Sequence, residues 1–253
     1  MLTIKNLSVS AQNKKILEDI TYTFKKNKIY AVMGPNASGK SSLAFSIMGH
    51  PVYKISSKSE IIFKRRKING LEPYKRAERG LFLSFQSPLP LSGVTVLQLL
   101  QVALSKKLDV LAMRKKAKQV AKELHMPEDL LSRSLNDGTS GGEKKKLEIL
   151  QAVLLDRDLM IFDEIDTGVD VDALKTIATF LKKNRKGKTY ILITHYNRIL
   201  RYLKPDEVLV LGDGKLVKTG KHTLADKIEK AGYEMLNSKR KTIFRQAQDP
   251  ERS

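Results

Sequence analysis

Short apolar runs of strand length open the chain. Leu2 to Leu7, Ile16 to Phe24 and Lys28 to Met33 are separated by polar turns, which predicts three strands. The last, KIYAVM, ends directly in a glycine loop, GPNASGKS. The loop runs into LAFSIMG, whose apolar spacing and closing Gly49 predict a short helix with a glycine stop. Glu60 to Phe63 and Leu81 to Phe85 read as a further strand pair around a basic turn. Residues 94–131 read as helices. In the second of them Met113, Ala117, Val120, Ala121 and Leu124 share a face, while Arg114, Lys115, Lys116, Lys118 and Lys122 occupy the others.

The pattern then becomes strictly alternating between element types. NDGTSGGEKKKLEILQAVLLD is a polar glycine turn followed by a helix, and LMIFDE is a buried strand ending in two carboxylates. Residues 171–183 give another helix, Tyr190 to Ile193 another buried strand closing on THY, and Glu207 to Leu211 with Lys215 to Lys218 a hairpin around GDG. Strands alternating with helices imply an α/β core with a mainly parallel sheet. From about Ser238 the chain turns basic and polar without a core pattern, so residues 238–253 are expected to form an unfolded tail.

Composition removes several classes. With 253 residues, 41% hydrophobic and 29% charged, the chain can bury a real core and is neither disordered nor collagen-like. It carries 47 Lys plus Arg against 27 Asp plus Glu, a formal charge of +20, so its partners carry phosphate or other negative charge. The basic runs Lys64-Arg65-Arg66-Lys67, Arg114-Lys115-Lys116 and Lys239-Arg240-Lys241 have no interleaved base-stacking aromatics, and they are read as solvated faces, not a nucleic-acid site. The absence of cysteine removes disulfides, thiol catalysis and thiolate-held metals; the four histidines form no HxxxH pair. Neither a signal peptide nor an apolar stretch of membrane-spanning length is present, which leads to the expectation of a soluble cytoplasmic protein.

Against that background Gly34 to Ser41 completes GxxxxGK[ST] between a predicted strand and a predicted helix, the setting this motif requires. Such glycines let backbone N–H groups turn inward around phosphate oxygens, and the helix N-terminus adds partial positive charge. Lys40 would neutralise the β and γ phosphates of a nucleotide and Ser41 would offer its hydroxyl to Mg²⁺. LMIFDE is the expected counterpart: a strand beside the phosphate loop that delivers Asp163 to Mg²⁺ and Glu164 to the attacking water, as general base or water orienter. In TSGGE, Ser140 and Glu143 have the S-x-x-E spacing of a capping box, which by itself would start a helix.

At SGGE the chain resembles the ATP-binding cassette (ABC) ATPases, whose signature is usually LSGGQ. The order of segments supports the likeness: phosphate loop, Gln86 in FQSP, a helical insert, SGGE, Asp163-Glu164, Asp170 in TGVD, and His195 in THY. The resemblance implies a phosphate-loop NTPase core with a mainly parallel sheet, an N-terminal antiparallel β subdomain and a helical insert at about 88–140, in one domain over 1–237. It implies nucleotide contacts from Gly34, Pro35, Asn36, Ala37, Ser38, Gly39, Lys40, Ser41 and Ser42, with Ser140, Gly141, Gly142 and Asp170 reaching the nucleotide of an opposite copy when ATP drives transient dimerisation. It further makes Ser41, Gln86 and Asp163 the Mg²⁺ contacts, and Glu164, Gln86 and His195 the hydrolytic group. A helix N-cap is the structural alternative for Asp170, an ordinary loop glutamine for Gln86 and a structural strand-end residue for His195.

Finer likenesses point to one branch, the Suf-system ATPases of iron–sulfur cluster assembly: GHPVYKI, GLFLSFQSPLPLSGV, SGGEKKKLEILQ with Glu143 where most cassettes have Gln, DEIDTGVDVDALK, THYNRIL and IEKAGYE. That branch implies a SufB/SufD-type scaffold as partner, opened by hydrolysis. The competing reading is the nucleotide-binding subunit of a membrane ABC transporter, which would share every catalytic residue. Thr139 and Ala37 depart from the usual apolar and glycine residues. No aromatic stands near Ser10-Ala11-Gln12 to stack on adenine, so ATP is expected on the strength of its phosphates and GTP remains open.

Overall fold

The computed structural model describes residues 1–86, 90–105, 108–194 and 197–233. In chain order β1 (Leu2–Ala11) and β2 (Lys14–Phe24) are followed by β3 (Ile29–Met33), α1 (Lys40–Met48), β4 (Lys54–Ile55), β5 (Glu60–Phe63), β6 (Arg66–Lys67), α2 (Pro73–Glu78) and β7 (Leu81–Ser84). Then come β8 (Leu91–Thr95), α3 (Val96–Leu104), α4 (Val110–Glu123), a single 3₁₀ turn (Glu128–Ser132) and β9 (Ser134–Leu135). The second half holds α5 (Gly141–Leu154), β10 (Leu159–Asp163), α6 (Val171–Lys183), β11 (Thr189–Ile193), α7 (Arg198–Leu203), β12 (Glu207–Gly212), β13 (Lys215–Gly220) and α8 (Thr223–Ala231).

Two large sheets organise these elements, and β8 pairs with β9 in a small third one. β1 and β2 form a long antiparallel hairpin, extended through β5 to β6 with β4 also on β1. The second sheet runs β13-β12-β3-β11-β10-β7; all its pairs are parallel except the β12–β13 hairpin. Its middle strands β3, β11 and β10 are buried along their whole length and mainly apolar because both faces are covered. Ala31 and Met33 face α5, α6 and the helical insert, whereas Tyr30 and Val32 face α1 and the antiparallel sheet. Burial of Met33 and Val32 contributes about 1.5–3 kcal/mol each by leaving water.

Glu60–Phe63 and Leu81–Ser84 are not a strand pair. The first lies in the antiparallel sheet and the second at the edge of the parallel one, with α2 between them. The "basic turn" contains Arg76, which is only 1% exposed. Its guanidinium donates to the Ser46 and Ile47 carbonyls at 2.9 and 2.8 Å, closing the C-terminal end of α1, and to Leu71 and Asn69. Burial lowers its pKa to about 10, so it stays charged at neutral pH. The runs 64–67 and 114–116 are exposed as expected, and the apolar face of α4 is buried. Lys239-Arg240-Lys241 and the expected tail lie outside the described residues. Among those described, no helix is long and apolar enough to cross a membrane.

Candidate functional site

The glycine loop leaves β3 at the end of the parallel sheet where β10 and β11 also stop. A Cβ at Gly34 would stand 2.3 Å from the Leu211 carbonyl oxygen and one at Gly39 2.5 Å from Leu17, so the loop is threaded where only glycine fits. Ala37 adopts φ 61°, the left-handed region where an L side chain costs about 1–2 kcal/mol. The loop folds on itself through Ser38 N–H to Pro35 and is braced by the β12–β13 turn, whose Gly214 N–H donates to Ser38. Gly39 precedes α1 without a side-chain cap, and no acid occupies the first turn, which leaves the helix N-terminus to a negative ligand. Lys40 is 7% exposed and its ammonium donates to the Gly34 and Pro35 carbonyls at 2.9 and 2.8 Å. Burial lowers the Lys40 pKa, with Glu164 and Asp163 pulling the other way.

Asp163 ends β10, which is not adjacent to β3: β11 lies between them, so the carboxylate reaches the loop from two strands away. Both Asp163 carboxylate oxygens are buried without a hydrogen-bond partner. Burial raises the Asp163 pKa; the Ser41 hydroxyl stands close enough to favour the ionised form, short of a well-formed hydrogen bond. Such an oxygen pair beside a hydroxyl suits a hard divalent cation. Among the described residues no cluster of three or more His, Cys, Asp or Glu could hold a metal alone, so phosphate and water oxygens would complete the shell.

Next in sequence, Glu164 takes φ 51° and donates its N–H to Ile193 at 2.8 Å, turning its side chain off the strand. Gln86 Nε2 donates to Glu164 Oε2 at 2.6 Å. These two line an open cleft of about 870 Å³ together with Asn36 to Ser42, the size of a small-molecule site. Ala11, Gln12, Lys15 and Ile16 form its far wall, and no aromatic ring lines it among the described residues.

Ser140, Gly141, Gly142 and Asp170 do not line this cleft. Ser140 caps α5 with the full capping box: its hydroxyl accepts from Glu143 N–H at 3.3 Å and its own N–H donates to Glu143 Oε2 at 2.8 Å. Asp170 caps α6 by accepting from Ala173 N–H at 2.7 Å. The two caps touch, since a Cβ at Gly141 would lie 2.6 Å from the Gly168 carbonyl oxygen. Ser140, Gly141 and Asp170 are exposed, forming one outward-facing ridge. His195 lies outside the described residues.

Three supports escape a reading of the sequence. Lys145 and Glu148 form a buried ion pair at 3.1 Å; Lys145 also donates to the Phe85 and Gln86 carbonyls at 3.1 and 3.4 Å, and Glu148 accepts from Phe85 N–H at 3.0 Å. Asp166, 1% exposed, accepts from the Thr194 hydroxyl at 2.9 Å and so ties the turn after β10 to the one after β11. Tyr233 accepts from Gly34 N–H at 3.0 Å across the sheet end. The trace of the first pair in the sequence is a lysine and a glutamate three residues apart in α5, a spacing that many exposed helix pairs share.

A family model described as "ABC transporter" matches residues 17–167. The "Probable ATP-dependent transporter SufC" of Escherichia coli (strain K12) is 41% identical over 242 residues, covering 92% of this chain and 97% of that protein. The "Probable ATP-dependent transporter ycf16" of Trieres chinensis is 42% identical, covering 93% and 97%. Among solved structures, the dimeric ATP-binding cassette MJ0796 bound to ADP and Pi superposes with a TM-score of 0.77 at 21% identity, covering 88% of this chain and 99% of that one.

Proposed function

Since the chain belongs to the ABC transporter family and is an ATPase of the ATP-binding cassette type, we propose that it hydrolyses Mg²⁺-bound ATP between two copies and uses that cycle to change the shape of a SufB/SufD-type scaffold during iron–sulfur cluster assembly in the cytoplasm. The carrying observation is that Lys40, Ser41 and the hydrogen-bonded Gln86–Glu164 pair line one cleft, with Asp163 buried beside Ser41 and the Ser140 ridge outside that lining. One domain over 1–237 with its insert at 88–140 carries all of these parts.

In this reading the N–H groups of residues 36–42 and the Lys40 ammonium bind the β and γ phosphates, Lys40 exchanging its loop carbonyls for phosphate oxygens. Asp163, Ser41 and Gln86 hold Mg²⁺, which supplies charge neutralisation at the phosphates. Glu164 Oε2, steadied by Gln86 Nε2, accepts the proton of the attacking water. His195 is assigned the γ-phosphate contact. The outward Ser140, Gly141, Gly142 and Asp170 meet the nucleotide of the second copy, whose α5 N-terminus adds positive potential.

The partner assignment rests on the relatives named SufC and ycf16 and on the exposed apolar residues Phe85 and Leu91, which line one groove next to Gln86 in sequence and fit a protein surface. The alternative, a membrane transporter's nucleotide-binding subunit, is favoured by the family name and by the word transporter in the names of the same relatives. Glu164→Gln should bind ATP, dimerise stably and lose at least about a hundredfold in phosphate release; undiminished release would reject the role of Glu164. Affinity capture of that trapped form from its native cytosol should retrieve a SufB-like protein, whereas retrieval of an integral membrane protein would replace the scaffold reading with the transporter one.

A further inference from the structure

The C-terminal helix touches the site at two places that are far apart in sequence. At its end, the Tyr233 hydroxyl accepts from Gly34 N–H at 3.0 Å, at the first residue of the glycine loop. From its side, Asp226 and Glu229 accept from Asn197 Nδ2 at 2.8 and 3.2 Å, and Glu229 also holds Arg201 at 2.8 Å. Asn197 is buried and follows β11, which ends next to the phosphate loop. Leu224, Ala225 and Ile228 seat the helix on the main core, and the Tyr233 ring packs on the same cluster.

Gly34 is the hinge of the loop. Its carbonyl accepts from Lys40 and its N–H donates to Tyr233, so both of its backbone groups are committed and the adjoining peptides are fixed. We propose that Tyr233 is a positioning residue for the phosphate loop, through which triphosphate binding and the seating of α8 are coupled. Without the hydroxyl the Gly34 N–H loses the acceptor it has among the described residues, and the loop relaxes toward water and away from the geometry that presents Lys40. The coupling is reciprocal: a phosphate group that tightens the loop must tighten α8 by the same factor. Burial raises the Tyr233 pKa, so the hydroxyl remains neutral across the working range.

The inference rests on Lys40 seating the triphosphate, and the experiment keeps the two separate. Tyr233→Phe retains the ring and removes one oxygen. Its dissociation constant for the Mg²⁺ complex of a non-hydrolysable ATP analogue should rise about three- to tenfold, and KM for ATP should rise more than kcat falls. A merely structural role would lower the melting temperature with and without nucleotide alike and leave that affinity intact. In the unaltered protein, the analogue should slow amide hydrogen exchange across residues 224–233, and in Tyr233→Phe this slowing should shrink. An unchanged affinity in Tyr233→Phe, or exchange in α8 indifferent to nucleotide in the unaltered protein, would overturn the proposal. Intact binding in Lys40→Ala would instead overturn the seat itself.

Discussion

At the scale of single residues, the chain keeps costly arrangements where the chemistry is assigned. Asp163 buries two carboxylate oxygens without partners, and Ala37 and Glu164 hold left-handed backbone. Burying an unpaired carboxylate is costlier than burying a neutral amide. Asp163→Asn should therefore raise the melting temperature of the nucleotide-free protein by about 2–4 °C, while losing the further rise that MgADP gives the unaltered protein and at least about a hundredfold of ATP turnover. Calorimetric scans with and without MgADP check both halves, and a lower melting temperature in the variant would show Asp163 to be structurally satisfied. The identity of Asp163, Glu164 and Lys40 was legible in the sequence because motif and element boundary coincide. Tyr233 and Asp166 were not, because each meets a segment remote in sequence, Gly34 and Thr194 respectively.

Among the elements, those with a strong pattern could be read in advance, such as the amphipathic α4 and the fully buried, mainly apolar β3, β10 and β11. The short helices α2 and α7 are six residues each, too short for a period to establish itself, and α2 hides a buried arginine in what reads as a basic surface turn. Which strand neighbours which was equally hidden, since β11 separates β3 from β10 through pairings that no local pattern encodes. The tie between α5 and the exit of β7 is the element-level feature with the sharpest consequence. Burial raises the Glu148 pKa, while the Lys145 ammonium and the Phe85 N–H favour its charged form. Lys145→Met should cost about 3–5 kcal/mol in urea unfolding by leaving that charge uncompensated. A Lys145→Met/Glu148→Met double variant should recover most of the stability but not the turnover, because Phe85 and Gln86 have lost their anchors. Recovery of full turnover in the double variant would reduce the pair to packing.

For the molecule as a whole, Ser140, Gly141, Gly142 and Asp170 stand outside the cleft that holds Lys40, Gln86 and Glu164 of the same copy. Mixing two dead variants tests this directly. Lys40→Ala spoils every loop of its own dimers, and Ser140→Arg spoils every ridge of its own. In an equal mixture half of the dimers are mixed, and each mixed dimer has one of its two sites intact, so turnover should return to about a quarter of the unmutated value. Turnover that stays at the background of the separate variants would mean that each copy acts alone.

The outward ridge of Ser140 and Gly141 also fixes how the catalyst responds to its own abundance. At low dilution-limited levels the rate of phosphate release grows with the square of the amount of protein, and a lone copy is idle however much fuel surrounds it. A carrier that holds two copies side by side abolishes that quadratic law by imposing a local concentration near the millimolar range. Whatever brings two copies together is thus the throttle of the machine.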